Sequence, residues 1–349
     1  MTAGRFARIA AVASALPERV VPNSYFESIV ETSEQWIVER TGIRERRFAG
    51  AGESTASLSA AAGGEALRRA GVAPESVDLL IVCTCTPERI IPSTAAFVQT
   101  RLGLSCPSFD LNAACAGWVY GLSVADAQIR AGAADRVLVI GAEVLSRVLD
   151  MTDRTTCVLF GDGAGASLLE PGEEPGVIES MLALDGSMAE VLTQPAGGTG
   201  EPITEEALRA RRNFLKMSDG QAVFKMAVTA MASACTEVLE KAGYTPADLK
   251  IAIGHQANAR ILSALGKRLG LDPSKVLIDI EKVGNTSAAS IPIALDGAWR
   301  RGLLEPGDLV LTAAFGAGMA WGASLIRWTA AMPEGTAVDA GRSAGRARA

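Results

Sequence analysis

Cys115, His255 and Asn285 are the residues of this chain best placed for covalent chemistry. Cys115 stands in Asp110-Leu-Asn-Ala-Ala-Cys115-Ala-Gly-Trp-Val-Tyr-Gly-Leu, where a short strand-like run gives way to small residues and then to a helical pattern. A thiol at a helix start meets the positive end of the dipole and free backbone N–H groups, which lower its pKa and favour the nucleophilic thiolate. The plain alternative is a packed core thiol, since free cysteines are among the most buried residues. The other five, Cys83, Cys85, Cys106, Cys157 and Cys235, lack this setting and read as packing. His255 is the only histidine of the chain and lies in Ile253-Gly-His-Gln-Ala-Asn-Ala-Arg260, where a strand ends and a helix begins. A lone histidine is more often structural, but open α/β sheets place ligands at the C-terminal ends of their strands. A neutral imidazole there can donate a hydrogen bond to a carbonyl or accept one. Asn285, in Gly284-Asn-Thr-Ser-Ala-Ala-Ser290, suits a helix cap, and its amide can serve a site at the same time.

The elements that must position these residues occur twice. Ala66–Val82 reads as helix, turn and strand, and Val238–Ile253 reads the same way. Gly71 matches Gly243 and Pro74 matches Pro246, an offset of 172 in both cases (243−71, 246−74). Each glycine reads as a helix C-cap with a proline following. Downstream, Cys115 and Asn285 each open a helical stretch, and these end near Gly132 and Gly302, an offset of 170 (285−115, 302−132). Phe160-Gly-Asp-Gly-Ala-Gly165 is echoed by Phe315-Gly-Ala-Gly318. A period this long is not a solenoid but a duplicated α/β unit. Short apolar strands alternating with helices indicate mostly parallel, helix-covered sheets. If the halves pack about a pseudo-twofold axis, Cys115 and Asn285 occupy equivalent helix starts and approach one another. The expected division is 1–175 for the half with the cysteine, 176–330 for the half with His255 and Asn285, and a disordered Gly/Ala/Ser/Arg tail over 331–349.

Bulk properties narrow the field. The chain has 349 residues, 48% hydrophobic and 21% charged, with a net charge of −6. That length supports a large core without staples. The acidic balance disfavours nucleic acid as a partner. Scattered cysteines without a C-x-x-C pair, and with one histidine, make neither a disulfide framework nor a zinc set, so no metal is expected. Free thiols fit a reducing compartment, and a cytoplasmic location is expected. Arg5 and Arg8 before an Ala-rich apolar run resemble a weak secretion signal, but a first β-strand ending at Pro17 is the preferred reading. No apolar run approaches the roughly 18 residues of a membrane span.

Taken together the motifs resemble the ketoacyl-acyl-carrier-protein synthase III family of the thiolase superfamily, from about Arg8 to Trp328. They are Thr32-Ser-Glu-Gln-Trp-Ile-Val-Glu-Arg-Thr-Gly-Ile43, Ala113-Ala-Cys-Ala-Gly117, Phe160-Gly-Asp-Gly-Ala-Gly165, His255-Gln-Ala-Asn258, Gly284-Asn-Thr-Ser-Ala-Ala-Ser290 and Phe315-Gly-Ala-Gly318. The resemblance implies a five-layered α-β-α-β-α thiolase fold of two similar halves, as a homodimer. It implies decarboxylative condensation of an acyl-CoA with malonyl-acyl carrier protein through an acyl-Cys115 intermediate. His255 and Asn285 would hold the malonyl thioester carbonyl, and the backbone N–H groups of Cys115 and Ala317 would form the oxyanion hole. Many relatives have Gly at the place of Ala317, and the hole survives unless φ there is positive. Trp36 and Arg154 match the pair that sandwiches the adenine of coenzyme A. Gly220 and Asn258 match pantetheine contacts, with Gln221 where relatives often have Asn. Arg260, Lys267 and Arg268 share a helix face and, with Lys225, suit an acidic carrier protein. Ile91 and Phe315 match acyl-pocket positions, Ile91 reaching into the partner subunit. A side chain there smaller than an aromatic admits longer or branched starters. No resident cofactor is implied, coenzyme A entering only as the substrate thioester.

By the same resemblance, the absence of a cysteine after Cys235 speaks against a degradative thiolase, and a single histidine against a Cys-His-His elongating synthase. No Gly-x-Gly-x-x-Gly follows the first strand, so a nicotinamide site is not expected. Two rivals remain: an acyltransferase to a hydroxyl or amine without loss of CO₂, and a catalytically silent partner of another synthase.

Overall fold

The computed structural model describes residues 5–331. Of the tail expected over 331–349, all but Ala331 lies outside the described residues. In the first half, β1 (Phe6–Ala15) precedes α1 (Glu34–Thr41) and α2 (Thr55–Ala70), then β2 (Leu79–Cys83), α3 (Thr94–Leu102), β3 (Ser108–Leu111), α4 (Gly117–Arg130), β4 (Val137–Glu143) and β5 (Gly163–Gly172). The second half runs β6 (Val177–Leu184), α5 (Gly220–Ala242), β7 (Ile251–Gly254), α6 (Ala259–Arg268), α7 (Ser290–Arg300), β8 (Leu309–Gly316) and β9 (Ala320–Arg327). The N-terminal run is thus the strand β1, paired antiparallel with β5.

The first sheet has the order β1-β5-β4-β2-β3 and the second β7-β8-β9-β6. The strand orders correspond: β2 to β7, β4 to β8, β5 to β9 and β1 to β6. The first sheet has an extra edge strand, β3. Its place in the second is taken by one parallel bridge, Ala252 to Val276. Helices α2 and α3 cover the outer face of the first sheet, and α5 and α6 that of the second. Helices α4 and α7 lie between, α4 touching strands of both sheets and α7 packing against β5, β1 and β7. This is the expected α-β-α-β-α layering of two similar halves. The central layer is the apolar heart of the molecule, where Trp118, Val119 and Leu122 of α4 meet Ile291, Leu295 and Trp299 of α7.

Local chemistry explains the repeated ends. Gly71 and Gly243 close α2 and α5 with φ of 65° and 74°, the left-handed conformation glycine adopts without a Cβ penalty. Pro74 and Pro246 then open single 3₁₀ turns. One expectation needs correcting: α5 is long and apolar enough by composition to cross a membrane, with a mean hydropathy of 1.4. Its apolar face (Met231, Cys235, Val238, Leu239) is instead spent on the second sheet.

The alignment of the copies is also corrected. Ala114 and Ser287 both take a rare positive φ, 46° and 50°. Each is the first residue of the same 3₁₀ turn, which leads into α4 or α7. The helix starts are therefore 173 apart (290−117), while the helix ends are 170 apart (300−130), because α4 has 14 residues and α7 has 11. Cys115 is equivalent to Ala288, and Asn285 to Asn112.

Candidate active site

Cys115 sits in the 3₁₀ turn between β3 and α4. Asn112 Oδ1 accepts the Ala114 N–H at 3.1 Å and tightens the turn. Gly316, at the end of β8, backs directly onto it. A Cβ on Gly316 would lie 2.6 Å from the Cys115 nitrogen. The expected low thiol pKa is not what the structure supports. Burial pushes the Cys115 thiol up to about 11, and the Glu143 carboxylate adds to the rise. Hydrogen bonding from Ser287 and from the backbone N–H groups of Cys115 and Ala317 pulls the other way without prevailing. Ala317 does not take a positive φ, whereas Gly318 beside it does (72°), so an alanine is accommodated.

His255 follows β7 and is 2% exposed. Its backbone N–H donates to Ala313 O of β8 at 2.7 Å, continuing the sheet by one residue. Its Nδ1 lies 2.6 Å from Ser290 Oγ at the start of α7. Burial alone holds the imidazole neutral, with a pKa lowered to about 3. Gln256 locks the turn. Its amide donates to Gly254 O and Leu277 O, and its oxygen accepts the Asp279 N–H.

Asn285 is anchored through its backbone, its N–H donating to Leu159 O and its carbonyl accepting the Gly161 N–H. The Phe160-Gly-Asp-Gly motif thereby gains a structural meaning. Asp162 is fully buried and accepts from Ala49 N, Ser146 N and Ser146 Oγ. Asn285 Oδ1 accepts the Ser287 N–H at 2.9 Å. The amide is therefore turned so that its NH₂ group is left to donate.

These three side chains line one apolar cavity of ≈ 140 Å³, together with Phe224, Met231 and Phe315. Gly220 and Asn258 line it as well. Both polar atoms of Asn258 already have protein partners: Oδ1 caps α6 through Arg260 N, and Nδ2 donates to Arg40 O. Leu145, Leu149 and Phe160 form a separate apolar cluster beside the site, with Cys85, Val148 and Leu215 packed on it. Trp36 and Arg154 are brought together, the guanidinium 4.9 Å from the ring centroid. A flat ring between them needs roughly 7 Å, two van der Waals contacts, so the pair must part to admit one. Lys225, Arg260, Lys267 and Arg268 are exposed on α5 and α6. Ile91 is 84% exposed and does not line the cavity of its own chain.

Sequence reasoning missed Ser290, Ser287, Glu143 and Gly316. Glu143 is fully buried and receives Thr86 Oγ1 at 2.5 Å, Ser287 Oγ at 3.1 Å and the backbone N–H groups of Cys85 and Thr86. Ser287 and Ser290 were visible inside the Asn285 motif. The signal for Glu143 was its place at the strand end equivalent to Gly316.

With this geometry established, comparison with known proteins gives one answer. Residues 109–186 match the model of 3-oxoacyl-[acyl-carrier-protein (ACP)] synthase III, and residues 239–328 match the model of its C-terminal part. The chain is 46% identical over 325 residues to beta-ketoacyl-[acyl-carrier-protein] synthase III of Caldanaerobacter subterraneus subsp. tengcongensis, covering 93% of this chain and 98% of the relative. The crystal structure of 3-oxoacyl-[acyl-carrier-protein] synthase III from Aquifex aeolicus VF5 superposes with a TM-score of 0.86 at 44% identity, covering 92% of this chain and 100% of that one. The priming beta-ketosynthase of the R1128 polyketide biosynthetic pathway superposes with a TM-score of 0.88 at 35% identity, covering 95% and 98%. The chain belongs to the 3-oxoacyl-[acyl-carrier-protein] synthase III family.

Proposed function

We propose that this chain condenses an acyl-CoA starter with malonyl-acyl carrier protein, giving a 3-ketoacyl carrier protein, CO₂ and free coenzyme A. The enzyme is an acyltransferase of the synthase III type, and Cys115 carries the acyl group. The observation that carries the assignment of roles is the meeting of Cys115, His255 and Asn285 on one apolar cavity.

In the first half-reaction the Cys115 sulfur attacks the thioester carbonyl of acyl-CoA. The developing oxyanion takes the N–H groups of Cys115 and Ala317, a donor pair of which one member is worth about 10²–10³ in rate. The intermediate collapses, coenzyme A leaves, and the thiol proton leaves with its sulfur. In the second, the malonyl carboxylate enters an apolar space that solvates it poorly, and the C–C bond breaks to release CO₂. The electron pair moves onto the thioester oxygen, where His255 and Asn285 donate hydrogen bonds to the enolate. Its carbon attacks the acyl carbonyl, and Cys115 departs as a thiolate. A thiol held near 11 then takes up one proton. That proton balances the overall reaction.

Trp36 and Arg154 open to hold adenine, and Gly220 and Asn258 flank pantetheine. Lys225, Arg260, Lys267 and Arg268 receive the acidic carrier. The working unit is a homodimer joined along β3, whose outer edge is unpaired among the described residues and carries the exposed Phe109, with Ile90 and Ile91 exposed in the loop before α3. Asp110 holds the start of α3, which follows that loop, through Thr94 N and Ala95 N. Ile91 then enters the partner's acyl pocket, where it admits starters longer than acetyl. A cytoplasmic setting fits the free thiols.

The test is intact-protein mass after mixing with acetyl-CoA or longer acyl-CoAs, then with malonyl carrier protein, beside Cys115→Ala. An adduct absent from the variant, discharged with CO₂ release, supports the condensing reading. An adduct discharged without CO₂ overturns it in favour of transfer to another nucleophile, and no adduct overturns it altogether.

A further inference from the structure

We propose that Ser290 is a positioning residue that fixes the tautomer of His255, holding its proton on Nε2 so that the ring faces substrate as a donor. This deepens the condensing reading and rests on it for its functional consequence.

The argument is one of hydrogen-bond capacity. A serine hydroxyl has one proton to give and two lone pairs to receive with. Ser290 Oγ lies 2.6 Å from His255 Nδ1 and accepts the Gln256 N–H at 3.3 Å. An amide N–H only donates, so that contact occupies a lone pair and leaves the hydroxyl proton to be placed. Among the described residues Ser290 Oγ has no third partner. If the imidazole carried its proton on Nδ1, the oxygen would receive two donors. Its own hydrogen would then stand without an acceptor at a position 2% exposed, and buried polar groups rarely go unpaired. With the proton on Nε2, all three groups are satisfied: Gln256 N–H to Oγ, Oγ–H to Nδ1, and Nε2–H toward the cavity.

The surroundings reinforce this arrangement. Burial keeps the ring neutral, so a doubly protonated form does not compete. Gln256 is itself held by the carbonyls of Gly254 and Leu277 and by Asp279 N, so its N–H cannot swing away. Ser290 begins α7, three residues after Ser287, whose N–H turns the Asn285 amide. A single turn of chain therefore aims both donors. Neither Ser290 nor Ser287 needs to touch the substrate.

Because His255 is the only histidine in the chain, ¹⁵N labelling of histidine in the full-length protein reports one imidazole. The couplings of the ring nitrogens are expected to show a protonated Nε2 and an unprotonated Nδ1 in the wild type. A protonated Nδ1 overturns the proposal, and this readout needs no activity. In Ser290→Ala, acylation of Cys115 by acetyl-CoA is expected to persist. CO₂ release from malonyl carrier protein is expected to fall on the order of 10²-fold in kcat, the class of loss seen when one oxyanion donor is removed. Ser290→Thr, which keeps the hydroxyl, restores it. Equal loss in both half-reactions, or loss in neither, overturns the positioning role. If the wild type itself releases no CO₂, the condensing reading fails, and the nitrogen couplings still decide the tautomer. If Ser290→Ala does not fold, the wild-type spectrum carries the test alone.

Discussion

The two halves of the molecule carry the same turn and use it differently. Asn112 and Asn285 are 173 residues apart (285−112), and each side-chain oxygen receives the N–H two residues on, Ala114 in one copy and Ser287 in the other. The donating residues share a positive φ. Glu143 and Gly316 end the equivalent strands β4 and β8, again 173 apart (316−143). In the first half the Glu143 carboxylate fills the space behind the turn and takes hydrogen bonds from the Cys85–Thr86 loop and from Ser287. In the second, glycine leaves that space to the Cys115 backbone. Duplication thus supplied two copies of a ligand-facing turn. Both turns face the one cavity, the first through Cys115 and the second through Asn285.

Equivalent backbones with unequal roles make the sharpest test. Asn285→Ala should cost about 10²–10³ in CO₂ release, the price of one oxyanion donor. Asn112→Ala removes the same type of cap and should leave both half-reactions near wild type. Each variant should lose only about 0.5–1.5 kcal/mol of stability by denaturant melt, the worth of one hydrogen bond. If Asn112→Ala lowers CO₂ release as much as Asn285→Ala, the functional asymmetry of the halves is wrong.

Next in size is Gly316→Ala. The added Cβ meets backbone rather than a movable side chain, so the Cys115 turn must shift. A displacement near 1 Å at a reacting atom costs about 10²-fold, and overpacking a tight site costs about 1–3 kcal/mol. Acylation of Cys115, read by mass, should slow by that factor. Unchanged acylation would show that the close approach of Gly316 does not set the nucleophile's position.

Much of this was legible in the sequence, and the reasons are local. Gly71 and Gly243 mark helix ends because a left-handed cap favours glycine, and that signal survives without any knowledge of the fold. The Cys115, His255 and Asn285 turns were legible because each interrupts a hydrophobic pattern with small or polar residues. The pairing of Cys115 with Asn285 across the repeat was misread by three residues. Counting from the helix ends hides the extra length of α4, and only the paired positive φ at Ala114 and Ser287 gives the register. The thiol pKa was misjudged because a helix start is visible in sequence and burial is not. The Ser290 contact with His255 spans 35 residues and depends on α7 packing beside β7, which no local pattern encodes.

The smallest effect separates the halves by their titration. Each half buries a group whose charged form burial disfavours, with opposite consequences. His255 is lowered from 6.5 to about 3. Between those values the unfolded chain binds a proton that the folded chain refuses, so stability falls as pH falls, by up to roughly 1.4 kcal/mol per pH unit. Glu143 is raised above 4.5, chiefly by burial. Above 4.5 the unfolded chain has released a proton that the folded chain still holds, so this group costs stability as pH rises until its folded pKa is passed. His255→Asn should therefore flatten the stability profile between pH 6.5 and the acid limit, measured by chemical melts at stepped pH. Glu143→Gln should instead remove the opposing decline above 4.5, so that stability climbs more steeply with pH along the His255 slope. If both substitutions flatten the same limb, the two groups titrate as one network across the Ser287 bridge rather than as separate properties of the two halves.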